Sequence, residues 1–73
     1  MQEETLIRML NRIGDFFAAM PDRDEAMHGI ADHVQKFWEK RMRQQLEVML
    51  AQPEHAGQIQ PIIREALQKF EWR

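Results

Sequence analysis

Glu25, His28 and Asp32 are the closest this sequence comes to a catalytic constellation. Spacings of three and four place them on one face of a helix, where two carboxylates and an imidazole could converge on a divalent cation. The same spacings arise constantly on solvated helices, and an exposed polar face is the stronger expectation here. Nucleophilic catalysis has no candidate, because serine and cysteine are absent and Thr5, the single threonine, has no base near it in sequence. His33 borders an apolar stripe and His55 lies among loop-forming residues, settings in which a histidine is more often structural than a ligand or an acid–base group. Gly14, Gly29 and Gly57 are isolated and none follows a strand pattern, so no glycine-rich loop cradles a phosphate. The chain reads as non-catalytic, with no cofactor bound by its own residues.

Recognition is the chemistry that remains. The run FWEKRMR, Phe37 to Arg43, sets two adjacent large aromatics against a cationic cluster. Neighbouring helix positions differ by about 100°, so Phe37 and Trp38 cannot both sit at the centre of one narrow apolar stripe, and one of them is expected to border a partner. For the cations two readings stand. On a continuous helix Lys36, Lys40 and Arg43 align, with Glu39 and Glu47 four residues either side of Arg43, as on an ordinary salt-bridged exterior. Alternatively Arg41 and Arg43 act as planar bidentate donors to carboxylates of a protein partner. The expected partner surface is Phe37, Trp38, Arg41, Met42 and Arg43.

Charge distribution narrows the kind of partner. The net charge is −2, yet residues 36–43 hold four bases and one acid, whereas residues 1–35 hold seven acids and three bases. The positive potential is local. A helix-turn-helix reader of DNA would need a more basic second helix than residues 22–38 provide, so nucleic acid is not expected. The longest apolar run, Phe16 to Met20, is far short of the ~20 residues that span a bilayer, and Glu3 and Glu4 stand where a targeting segment would be basic. No membrane association is expected, and a cytoplasmic address follows as the default.

These residues must be positioned by helices, because no strand alternation, repeat or low-complexity segment is present. At 73 residues without cysteine the chain is a single domain, residues 1–73, with no disulfide or thiolate metal site to support it. Leu6, Met9, Leu10, Ile13, Phe16, Phe17 and Met20 fall within an arc of about 120°, which predicts a first helix with one buried face. Ile7 and Gly14 lie together off that stripe; Gly14 is either simply tolerated or marks a place where another backbone comes close. Pro21 puts a boundary near Ala19. Asp22 is a candidate N-cap, and Glu25 three residues on completes a capping-box pattern. The second helix has Met27, Ile30, Val34, Phe37 and Trp38 on its core face, with Ala26 and Ala31 admitting a neighbour.

The mean direction of that face differs by about 110° from that of Met42, Leu46, Met49 and Leu50. A straight helix cannot serve both, so a break is predicted between Trp38 and Lys40, with a third helix running to about Ala51. Pro53, His55 and Gly57 are expected in a loop. Pro61 then opens a last helix whose core face is Ile59, Ile62, Ile63, Ala66, Leu67 and Phe70, with Trp72 projecting away from it. The expected fold is all-α, a small bundle of about four helices joined by short turns. Six methionines and six large aromatics exceed what so small a bundle covers alone, which points to a contact surface.

The succession IRMLNRIGDFFAAMPD (7–22), AMHGIADHVQKFWEKRMR (26–43) and PIIREAL (61–67) resembles the delta subunit family of cytosolic NAD-dependent formate dehydrogenases. Its most specific part is the aromatic pair followed by Arg41, Met42 and Arg43. The family commonly carries proline where this chain has Lys40; lysine leaves a longer bent helix open as an alternative to a sharp break. The resemblance implies an accessory subunit of a molybdenum or tungsten enzyme that oxidises formate and reduces NAD. It implies that molybdopterin, iron–sulfur clusters and flavin reside in larger partner subunits, and that this chain binds the catalytic subunit and supports the active, cofactor-loaded complex. Two rivals remain: a free-standing homodimeric helical protein with a structural or regulatory role, and a small metal-dependent enzyme using Glu25, His28 and Asp32.

Overall fold

Helix boundaries follow from residues that cap or forbid helical geometry. A computed structural model describes residues 2–73; Met1, one of the six methionines, lies outside the described residues. The first helix, α1, spans Glu3–Ala18, with Glu3 and Glu4 in the turn where the dipole favours acids. Pro21 lies just beyond its end. Asp22 then caps α2, Arg23–Phe37, its Oδ1 accepting from the Asp24 and Glu25 amides at 2.9 and 3.2 Å. Such a cap contributes about 1 kcal/mol. The third helix, α3, spans Lys40–Leu50, and α5 spans Pro61–Lys69 with its proline in the first turn.

Residues 53–56 differ from expectation. Instead of a loop they form a single helical turn, α4, Pro53–Ala56, so the chain has five helical segments rather than four. Pro53 lacks an N–H but needs none at a first turn, which is why a proline that ends α3 also starts α4.

Helix α2 is central, packing most extensively on α5 and then on α1, while α1 also meets α5. Ala26 and Ala31 are buried where these helices close on α2, as their small size predicts. The α3–α4 pair closes the other side, contributing Leu46 and Met49 to a core that also holds Leu6, Leu10, Met27, Ile30, Val34 and Ile63. Exposed ion pairs Arg23–Glu65 and Lys69–Asp24, each at 2.9 Å, tie α2 to α5.

The connection into α5 is anchored on α1 by Asn11. Its Nδ2 donates to the Gln58 carbonyl at 3.0 Å, and its Oδ1 accepts from the Gln60 amide at 3.1 Å. The Gln60 side chain in turn donates to the Asn11 carbonyl and to Asp15. This lays Gln60 and Ile63 over Gly14: a Cβ there would fall 2.5 Å from Gln60 Oε1 and 2.6 Å from Ile63 Cδ1. Of the two readings of Gly14, close approach holds, but it is made by the side chains of Gln60, the N-cap of α5, and Ile63 within it, not by a backbone.

Three apolar residues lie otherwise than periodicity suggests. Phe16 and Phe37, both assigned to core faces, are 72% and 71% exposed, whereas Trp72, expected to project outward, is fully buried. The backbone leaves helical geometry at Phe70 (φ −117°, ψ 152°), which turns the last residues back over the core. Trp72 Nε1 then donates to the Leu67 carbonyl at 2.8 Å, so its polar atom is satisfied. With both tryptophans inside, the apolar surplus is smaller than composition suggests: among the described residues, the large hydrophobics left well exposed are Phe16, Phe37 and Val48. The Cα radius of gyration, 11.1 Å, equals the roughly 11 Å expected of a compact chain of this length.

Candidate partner-docking site

The corner between α2 and α3 is made by two extended residues. Trp38 (φ −89°, ψ 132°) ends α2, its amide still donating to the Val34 carbonyl at 3.1 Å, and Glu39 (φ −62°, ψ 154°) precedes α3. The break predicted from periodicity is therefore complete, and Lys40 permits it without a proline.

Each of the five residues expected at a partner surface has a defined place. Phe37 ends α2 with its ring against His33 at 4.9 Å between centroids and its other side open. Trp38 is 5% exposed and belongs to the core, so its role at the corner is to hold the ledge from beneath. Arg41 is exposed, and Met42 is half-buried against the core. Arg43 is half-buried and reaches back across the corner, Nη1 donating to the Gln35 carbonyl at 3.4 Å near the negative end of α2, while its buried Nε has no partner. Phe37 and Trp38 thus divide, one out and one in, although periodicity places both on the core face of α2.

Electrostatically the start of α3 is unusual. Its first turn contains no acid and no side chain caps it, although Lys40, Arg41 and Arg43 all lie there. Cations at the positive end of a helix dipole are unfavourable, and an acceptor brought from outside would relieve the arrangement. Lys40, Arg43, Gln44, Glu47 and Arg73 line a shallow cavity of about 310 Å³, one wall of which is the Arg73–Glu47 ion pair at 2.7 Å.

The metal trio does not converge. His28 packs on the Phe70 ring at 5.1 Å, Asp32 pairs with Lys36 at 3.2 Å, and Glu25 is exposed beside the Asp22 cap. Among the described residues no group of three or more His, Asp or Glu could hold a metal ion, and the sequence has no cysteine for an iron–sulfur cluster. His55 bonds to Gln52 across α4 at 2.6 Å.

An aromatic row across α1 and α2 was not anticipated. Phe16 meets Phe17 edge-on at 5.1 Å, Phe17 meets His33 at 6.3 Å, and His33 meets Phe37. The signal for it lay in Ile7 and Gly14: with these buried, the inward face of α1 is rotated, and Phe16 lies about 135° from its centre. Phe17 stays half-buried because Gly29 makes room for its ring, which lies 2.5 Å from where a Cβ would be.

The model of the NADH-dependent formate dehydrogenase delta subunit family, FdsD, matches residues 5–67 of the 73. The chain belongs to that family. No curated protein and no solved structure matches it. The delta-family match contains the whole corner from Lys36 to Arg43 and stops before Trp72. Among the described residues of this delta-family chain, no helix is long and apolar enough to cross a membrane.

Proposed function

We propose that the chain is a non-catalytic accessory subunit that docks its α2–α3 corner onto the catalytic subunit of a cytoplasmic NAD-dependent formate dehydrogenase. Membership of the delta-subunit family carries this reading. The corner supports it physically: an exposed Phe37 at the end of α2, followed by a cationic start of α3 without a side-chain cap and with Arg41 exposed, is suited to an apolar contact flanked by carboxylates. Met42 and Arg43 complete the surface, and Trp38 keeps it rigid from the core side. Molybdopterin, iron–sulfur clusters and flavin are assigned to the larger subunits, a division in keeping with the absence of cysteine from this chain. A chain that binds the cofactor-loaded form more tightly than the empty one stabilises it by mass action.

The test is coexpression of the Phe37→Ser, Arg41→Glu double variant with the other subunits. Both side chains are exposed, so the variant should fold. Loss of the chain from the purified complex, with lower formate oxidation and lower molybdopterin content, is expected. Unchanged assembly and turnover would remove the model.

A further inference from the structure

Two observations single out the row Phe16–Phe17–His33–Phe37 as more than scattered exposed hydrophobics. First, Phe16 and Phe37, on separate helices, are joined by ring contacts into one ridge, beside which Arg12, Ile13, Phe16, Phe17 and His33 line an open cavity of about 340 Å³ with apolar walls. Second, the unpaired charge around it is net positive. Arg12 on the cavity rim forms no ion pair among the described residues, and neither do Lys40 and Arg41 beyond the Phe37 end. Of the acids near the row, Asp15 is engaged by Gln60 and Asp32 by Lys36, which leaves Glu39, next to Lys40, as the one acid there without an ion pair among the described residues.

We propose that this ridge extends the docking surface from the corner onto α1, and that its occupant is an apolar, carboxylate-flanked segment of the larger formate dehydrogenase subunit. The inference rests on the accessory-subunit reading above. The cavity takes an apolar side chain of the partner, and Arg12 on the cavity rim and the exposed Arg41 in the first turn of α3 take its carboxylates. A second copy of this chain fits less well for two reasons. The two exposed rings offer roughly 300 Å² of apolar surface, against the ~800 Å² per partner of a stable interface, so the rim must take part. In a two-fold dimer that rim would meet itself, cation against cation. A heterologous partner with acids removes the conflict.

The test measures affinity of the purified larger subunit for the full chain and three variants. Phe16→Ser and Arg12→Glu should each weaken binding about tenfold or more, and Arg12→Glu should also flatten its salt dependence. Val48→Ser, a smaller loss of exposed apolar surface on α3 outside the row, should leave affinity within about twofold. Circular dichroism of each variant checks that the fold is retained. If the native chain binds and Phe16→Ser and Arg12→Glu bind as well as it does, the ridge is not a docking surface, while the subunit reading stands. If the native chain self-associates and Phe16→Ser dissolves the dimer without altering the heterologous affinity, the occupant is a second copy and the proposal is overturned. A native chain that does not bind the larger subunit at all defeats the subunit reading itself.

Discussion

Trp72 lies one residue from the C-terminal end and beyond the segment that the delta family shares, yet it is fully buried. Replacing it with alanine should cost the isolated chain about 3 kcal/mol. A buried tryptophan removes about 150–250 Å² from water, which at ~25 cal/mol/Å² corresponds to roughly 4–6 kcal/mol. Its Nε1 bond to the Leu67 carbonyl adds about 1 kcal/mol. Against this, the tail from Glu71 is released when its anchor goes, which returns roughly 2–3 kcal/mol of backbone entropy. The remainder agrees with the lower end of the ~3–5 kcal/mol measured for Trp→Ala changes in cores. A domain of this size has about 4–11 kcal/mol in total, so the loss is a large part of it, equivalent to roughly 12–24 °C in midpoint temperature. Urea unfolding followed by far-UV circular dichroism reads this without depending on tryptophan fluorescence. Trp72→Phe should keep most of the burial and lose about 1 kcal/mol with the N–H. An unfolding midpoint unchanged in Trp72→Ala would refute the packing of the tail. If affinity for the larger subunit fell instead, Trp72 would be a partner contact, as the phase of α5 alone suggests.

Gly14→Ala tests the closure of α5 on α1: the ~1 kcal/mol gained in helix propensity should be outweighed by about 1–3 kcal/mol of overpacking against Ile63 and the tethered Gln60. A higher urea midpoint in that variant would show the gap to be slack. The Lys69 ammonium is held above its ordinary value of 10.5 by its hydrogen bond to Asp24, by the charge of Asp24 and then by Glu65. Because the folded value is the raised one, the contribution is fully present below 10.5 and lost as pH climbs through the folded value. The stability difference between the native chain and Lys69→Gln should therefore narrow only at strongly alkaline pH, and a difference that vanished near neutrality would contradict the pairing.

Local signals in this sequence are strong where a single residue dictates backbone geometry. Asp22, Pro21 and Pro61 mark helix ends by capping or by excluding helical angles, and the 110° change of apolar direction locates the corner at Trp38 and Glu39. The same arithmetic says that Phe37 and Trp38 cannot share the centre of one stripe, but it does not say which of them turns outward. At Pro53 the inference failed in a specific way: proline forbids continuation of α3 but equally suits a first turn, and sequence alone does not choose between loop and new helix.

Composition and periodicity by themselves determined the all-helical class, the break that exposes the basic start of α3, and the lack of a nucleophile or cysteine ligand. They also carried the motif by which the family is recognised. Only the tertiary structure decided the rotation of α1, which turns Phe16 outward, and the return of the tail, which turns Trp72 inward. The physical reason is common to both. An apolar stripe states how much surface wants cover, but which side receives it depends on where a neighbour can approach, and that is set by the space at Gly14 and by the chain leaving helical geometry at Phe70.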